Sequence, residues 1–196
     1  MSKFSVIAVD YEGHVPREGM IRGIESLANQ TFKDFELIIC HDGPKNIPYE
    51  EEIDFNGLGL DPIIINTPEH MHHYGHYSRD MAMRQATGEY FIQFNIDNLF
   101  YPEAFERIAK TLDSIQEEIV IFQVKHFKIN GGAIPFPGIP PHHCNIDAMQ
   151  LVASKRIWTE IDFWHRKEES SDGLIYQDMC SRYPWAELPE LLGENY

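Results

Sequence analysis

Two buried-type runs separated by one helical stripe constrain this chain more than any other feature. Phe4 to Val9 is compact, apolar and rich in Val and Ile, which reads as a strand buried on both faces. It ends in Asp10-Tyr11-Glu12-Gly13. From Pro16 the period becomes helical, with Met20, Ile21, Ile24, Leu27 and Ala28 on one stripe to about Asn29. Phe35 to Cys40 is a second buried strand, closed by His41-Asp42-Gly43-Pro44. Strand, helix, strand over this span is a βαβ unit, so the two strands are expected to be parallel with a right-handed crossover. The predicted class is therefore α/β, a central mostly parallel sheet flanked by helices.

The rest of the chain continues the alternation. Lys45 to Gly59 is an acidic connection with room for a weak helix, and Pro62 to Asn66 reads as a short third strand. His70, His72, His73 and His76 crowd the following loop. Between Gly75 and Pro102 comes a helix that Ser78 is placed to cap and Gly88 to stop, then a strand over Glu89 to Phe94. That strand delivers Asn95-Ile96-Asp97-Asn98 to its carboxyl end, where open α/β sheets bind ligands. Pro102 opens an amphipathic helix through Phe105, Ile108 and Leu112, and Ile119 to Lys128 is the next strand. Ala133 to His143 carries four prolines and reads as a rigid loop or flap. Asp147 to Ser154 is expected as a strand, Lys155 to Ile161 as a short helix, and Phe163 to Ser171 as a mobile loop. Ser171-Asp172-Gly173 is placed to cap a helix running to Tyr183, with a trailing surface segment from Pro189.

A chain of 196 residues suits one domain with one sizeable core. Acids outnumber bases 31 to 16, a net charge of −15, which argues against a nucleic-acid partner that would need clustered Lys and Arg. Cys40, Cys144 and Cys180 stand far apart with no CxxC spacing, so neither a zinc knuckle nor a disulfide framework is indicated. Reduced thiols, no signal-like leader and no apolar run long enough for a transmembrane segment fit a cytoplasmic protein.

The order of these motifs carries a resemblance. A first strand, then SLANQTFKDFELIICHDGP, then GHYSRDMAMRQATGEYFIQFNIDN with Pro102 four residues on, resembles the family-two glycosyltransferases, which use nucleotide-diphosphate sugars and have the GT-A fold. It covers Phe4 to Leu112 well and the remainder loosely. It implies a single Rossmann-like GT-A domain over residues 1–196, with about 1–98 as the nucleotide-binding half and about 99–196 as the acceptor side. His41-Asp42-Gly43 stands where the family has paired acids before Gly, Ser78-Arg79-Asp80 where it has small-Arg-Asn, and Asn95-Ile96-Asp97 where it has a metal-binding DxD turn.

The site residues follow from chemistry and resemblance together. Asp97 suits a Mn²⁺ or Mg²⁺ ligand, since such ions take one or two carboxylates and complete their shell from phosphates. Asn95 and Ile96 belong to the same turn. By resemblance Asp42 and the backbone of Val9, Asp10 and Tyr11 hold the nucleoside, with Tyr11 available to stack on the base. Arg79 suits a bidentate ion pair or a phosphate contact. An inverting transfer to a glycan, lipid or protein acceptor needs a base, and two carboxylates compete for that role, Asp172 at a helix start and Asp178 further along it. The expected activity is transfer of a sugar, of hexosyl type, from a UDP-linked donor.

Other readings stay beside this one. Each carboxylate has a structural alternative as a cap or turn residue, and the histidine cluster could border the nucleotide pocket or hold zinc. Nucleotidyl transfer would need a Gly-rich basic first turn, and DYEGHVPRE is acidic. A GT-A relative with weak or no catalysis, binding a sugar or a protein, is the alternative from a different class, because Asn95 replaces an expected acid.

Overall fold

The computed structural model describes residues 2–11 and 15–196, with the side chain of Tyr11 also outside the description. Its elements run β1 (Phe4–Tyr11), α1 (Arg17–Ala28), β2 (Phe35–Asp42), α2 (Tyr49–Glu52), α3 (Phe55–Leu58), β3 (Ile63–Asn66), α4 (His76–Gln85), β4 (Tyr90–Asn95) and β5 (Leu99–Phe100). They continue α5 (Ala104–Ser114), β6 (Ile119–His126), α6 (Phe127–Asn130), β7 (Pro135–Phe136), β8 (Leu151–Ser154), α7 (Lys155–Glu160), α8 (Ser171–Arg182) and β9 (Ala186–Asn195).

One sheet joins the strands in the order β3-β2-β1-β4-β8-β6-β9-β5, with β7 beside β6. As the βαβ unit requires, β1 and β2 are parallel, Phe4 against Phe35 through Tyr11 against Asp42. β3 and β4 extend this parallel half on either side. β8 runs antiparallel to both β4 and β6, and β6 and β9 are parallel again. The chain therefore steps outward from β1 to β2 and β3, then returns to place β4 on β1's other edge. That reversal puts a topological switch point between the carboxyl ends of β1 and β4.

Strand alternation divides the core between two faces. Phe4, Val6 and Ala8 pack with Met20, Ile24 and Leu27 of α1 and Phe105, Ile108 and Leu112 of α5. Ile7, Ile38 and Phe91 pack on the opposite face with Ala82 and Met83 of α4, Trp158 of α7 and Ile175, Tyr176 and Met179 of α8.

Several local expectations are corrected. Ser78 does not cap its helix; α4 begins at His76 after a left-handed Gly75, and Ser78 is buried inside it. Gly88 does not stop the helix, which ends at Gln85; it lies in the bend leading into β4, where its N–H donates to Ser5 Oγ and Glu36. An added Cβ at Gly88 would lie 2.6 Å from that hydroxyl, so close packing on β1 selects glycine here. The stretch expected as one strand from Asp147 begins as a 3₁₀ turn, Ala148–Gln150, with Asp147 and Gln150 capping each other. The proline-rich stretch contributes the two residues of β7 to the sheet. Trp164 anchors the segment expected to be a mobile loop, being wholly buried. Ser171, Asp172 and Gly173 form the first turn of α8, and Ser170 before them makes no side-chain cap.

The carboxyl end departs furthest from the sequence expectation. The segment from Pro189 is not a surface tail but the body of β9, with Leu188 and Leu192 buried. The register jumps from Leu188 opposite Phe122 to Leu191 opposite Gln123, so Pro189 and Glu190 bulge out where the missing N–H costs no ladder bond. No helix among the described residues is long and apolar enough to cross a membrane.

Candidate functional site

A cleft of about 320 Å³ opens at the switch point. Val9 comes to it from the end of β1, Asn95 and Asp97 from the end of β4, and Tyr74, His76 and Arg79 from the start of α4. Lys128, Asp147, Trp164 and Asp172 close the other side. Widely separated segments of sequence thus meet at the strand ends.

The turn carrying Asp97 is fixed from several directions. The Asn98 N–H donates to the Asn95 carbonyl at 2.9 Å, and the Ile96 N–H to the Val9 carbonyl at 3.1 Å. Ile96 points its side chain into the core, fully buried. Arg22 of α1 donates to the Asp97 carbonyl at 3.0 Å and lies 3.8 Å from the Tyr196 ring centre. α1 approaches so closely that a Cβ at Gly23 would fall 2.0 Å from the Ile96 carbonyl oxygen.

Arg79 lies beneath the cleft surface, 3% exposed. Its two terminal nitrogens donate to Gln93 Oε1 at 3.2 Å and to Asn95 Oδ1 at 2.8 Å, while its Nε has no partner among the described residues. The guanidinium lies 4.9 Å from the Trp164 ring centre. Asn95 is thereby explained: its amide oxygen accepts from a buried cation.

Asp172 sits in the first turn of α8, part-buried. Desolvation, with the like charge of Asp147 added, raises its carboxyl from the ordinary 3.8 to about 6, against the lowering effects of the Gly173 N–H and Arg79. Asp147 is itself held in place. Its Oδ1 accepts from the Met149 N–H at 3.0 Å, and its Oδ2 lies 3.6 Å from Nε2 of the buried His126. The sequence reading missed Asp147; the signal was the Asp-x-x-Gln capping box ahead of an apolar run.

Other expected site residues face elsewhere. Asp10 is buried and accepts from the Tyr49 hydroxyl at 2.6 Å. Asp42 is also buried; its two oxygens accept the N–H groups of Met71 and His72 at 2.8 and 2.9 Å, so it holds the histidine-bearing loop. Asp178 is not among the cleft-lining residues and pairs with Arg182 one helical turn away, at 2.6 Å. The ring of Tyr11, expected to stack on a base, lies outside the described residues, as does Glu12.

Of the described histidines, only His76 lines the cleft. Its Nδ1 accepts from the Trp164 indole N–H at 3.1 Å, and its Nε2 is 3.0 Å from Ser171 Oγ. Burial, with the positive charges of Arg79 and Lys167, pushes it down to about 3, so it is neutral at ordinary pH. Among the described residues no group of three or more His, Cys, Asp or Glu is arranged to hold a metal ion.

This architecture is shared with solved structures. The chain superposes on S. aureus TarS 1-349 in complex with UDP at a TM-score of 0.79 and 17% identity, covering 98% of this chain and 60% of that one. For the same protein in complex with UDP-GlcNAc the TM-score is 0.80 at 17% identity, covering 98% and 58%. In sequence, it is 28% identical over 131 residues to an uncharacterized glycosyltransferase of Methanocaldococcus jannaschii, spanning 66% of this chain and 44% of that relative. The chain thus spans less than half the length of this curated relative. Residues 14–168 match the profile of Glycosyl transferase family 2, and on that match, together with the GT-A architecture, the chain belongs to this family.

Proposed function

We propose that this chain moves a hexose-type sugar from a nucleotide-diphosphate sugar, UDP-linked, to a glycan, lipid or protein acceptor, with inversion at the anomeric carbon. The observation that carries the reading is the meeting of Arg79, Asp97 and Asp172 in one cleft at the β1/β4 switch point. Residues 1–98 supply the nucleotide side and residues 99–196 the acceptor side. The nucleotide complexes of TarS, which share the fold, support the choice of donor.

Asp172 is the general base in this reading. Its raised carboxyl is still ionised at neutral pH and accepts the acceptor hydroxyl proton more readily than an ordinary aspartate. As the acceptor oxygen bonds to the anomeric carbon, the bond to the diphosphate oxygen breaks and the proton passes to Asp172. Asp178, committed to Arg182, is set aside for this role. Arg79, fixed by Gln93 and Asn95, places a positive charge beside the departing phosphates.

Asp97 would hold Mn²⁺ or Mg²⁺. The donor set fits the mode in which one protein carboxylate suffices and substrate phosphates with water complete the shell, and no larger cage is present among the described residues. Such an ion, when bound, offsets the charge gathering on the leaving diphosphate. Thermal unfolding with UDP and Mn²⁺, followed by release of UDP from a panel of nucleotide sugars, tests the reading. A rise in Tm that is lost in Asp97→Ala supports it. If no nucleotide diphosphate or nucleotide sugar raises the Tm, the reading fails; if Asp97→Ala leaves nucleotide binding intact, the role of Asp97 fails.

A further inference from the structure

The loop from Thr67 to Gly75 is built at a conformational cost. His72, His73 and Tyr74 stand in succession at φ of 59°, 54° and 57°, and Gly75 follows at 73°. Three adjacent non-glycine residues in the left-handed region persist only where surrounding contacts over-determine them. Here those contacts are plain. Both oxygens of Asp42 accept loop N–H groups, from Met71 and His72. Thr67 Oγ1 accepts from the Gly43 N–H at 2.5 Å and donates to the Glu69 carbonyl at 2.7 Å. His70 packs so tightly on Gly43 that a Cβ there would lie 2.4 Å from the imidazole. Gly75 presses on the end of β1, where a Cβ would lie 2.6 Å from Val9 Cγ1.

The product of this bracing is one exposed ring. Tyr74 lines the cleft beside Val9 yet is 58% exposed. Behind it the aromatic rings continue inward. Tyr74 is 6.0 Å from His76, His76 stacks on Trp164 at 5.7 Å, and Trp164 stacks on Trp158 at 5.8 Å. A tyrosine on a flexible loop would gain nothing from such fixing, whereas a flat ligand would find a platform already ordered.

We propose that Tyr74 is the stacking platform for the nucleobase of the donor, and that Asp42 serves as its positioning residue by clamping the loop that carries it. The inference rests on the nucleotide-sugar reading above. Tyr74 supplies affinity for any base, because every base offers a π-face.

The test is calorimetric titration, with Mn²⁺ present, of UDP and separately of inorganic pyrophosphate. Wild type, Tyr74→Ala, Tyr74→Phe and Asp42→Asn are compared, with Tm recorded for each. Tyr74→Ala should weaken UDP binding by about 5- to 150-fold and leave pyrophosphate binding unchanged. Tyr74→Phe should stay within about twofold of wild type, and Asp42→Asn should lose UDP affinity while keeping that for pyrophosphate. If wild type binds UDP and Tyr74→Ala binds it equally well, or loses both ligands in proportion, Tyr74 is not the platform. If wild type binds neither ligand, the donor reading itself falls and takes this inference with it.

Discussion

Replacing Asp172 by Asn should abolish sugar transfer and yet make the protein more stable at neutral pH. Raising a part-buried carboxyl from 3.8 to about 6 sets a ceiling of about 3 kcal/mol on the destabilisation the ionised form imposes on the fold. Asp172 keeps part of its surface in water, so about 1–2 kcal/mol is the expected size. The sign follows from proton binding. Between pH 3.8 and about 6 the folded state holds the proton that the unfolded state has released, so stability falls as pH rises through this window. Above about pH 6 the penalty is complete; below 3.8 it is absent. Asparagine keeps the shape and carries no charge. The assay is thermal unfolding of wild type and Asp172→Asn at pH 4, 5, 6, 7 and 8. The variant's advantage should grow with pH and level off above about 6, reaching roughly 2–8 °C by pH 8. A difference in Tm that does not change with pH, or one that grows toward acid, would show that ionised Asp172 carries no such penalty. In the same series kcat/KM of wild type should fall about tenfold per pH unit below 6.

Three further outcomes follow from the same geometry. Asp147→Asn removes the like charge next to Asp172, so the acid limb of the wild-type pH–rate profile should move to lower pH; an unmoved limb would mean burial alone raises Asp172. Gly23→Ala should cost about 1–3 kcal/mol by denaturant unfolding, because its Cβ meets the Ile96 carbonyl at 2.0 Å and the Asn98 carbonyl at 2.9 Å, and it should weaken metal-dependent UDP binding by displacing the Asp97 turn. Asp178→Asn should leave kcat/KM within about twofold of wild type, since it removes only the ion pair with Arg182 on an outer face of α8.

The parallel half of the fold was legible because its signals are local. Phe4 to Val9 and Phe35 to Cys40 are too apolar to be anything but strands buried on both faces, and the stripe between them has the helical period. β9 was not legible, because Pro189 and Gly193 read as breakers and only the partner strand β6 shows that a bulge absorbs the proline. The site divides in the same way. Asp97, Arg79 and Asp172 carry chemical types that suggest their roles, and the fold brings all three to one cleft. Asp42 carries the same type, but its oxygens are taken by backbone N–H groups some 30 residues on, a long-range fact no spacing announces. Tyr74 was hidden for a related reason. A left-handed run of His72, His73 and Tyr74 contradicts local preference and is held only by tertiary contacts.

In the proposed function the cleft between β1 and β4 binds a nucleotide-diphosphate donor with its phosphates at Asp97. A crystal soaked with UDP and Mn²⁺, measured for the anomalous signal of manganese, addresses it directly. The expected result is a manganese peak at the Asp97 carboxylate, bridged to the diphosphate, with the uracil lying against Tyr74. UDP bound away from this cleft, or a cleft left empty at saturating UDP and Mn²⁺, would contradict it.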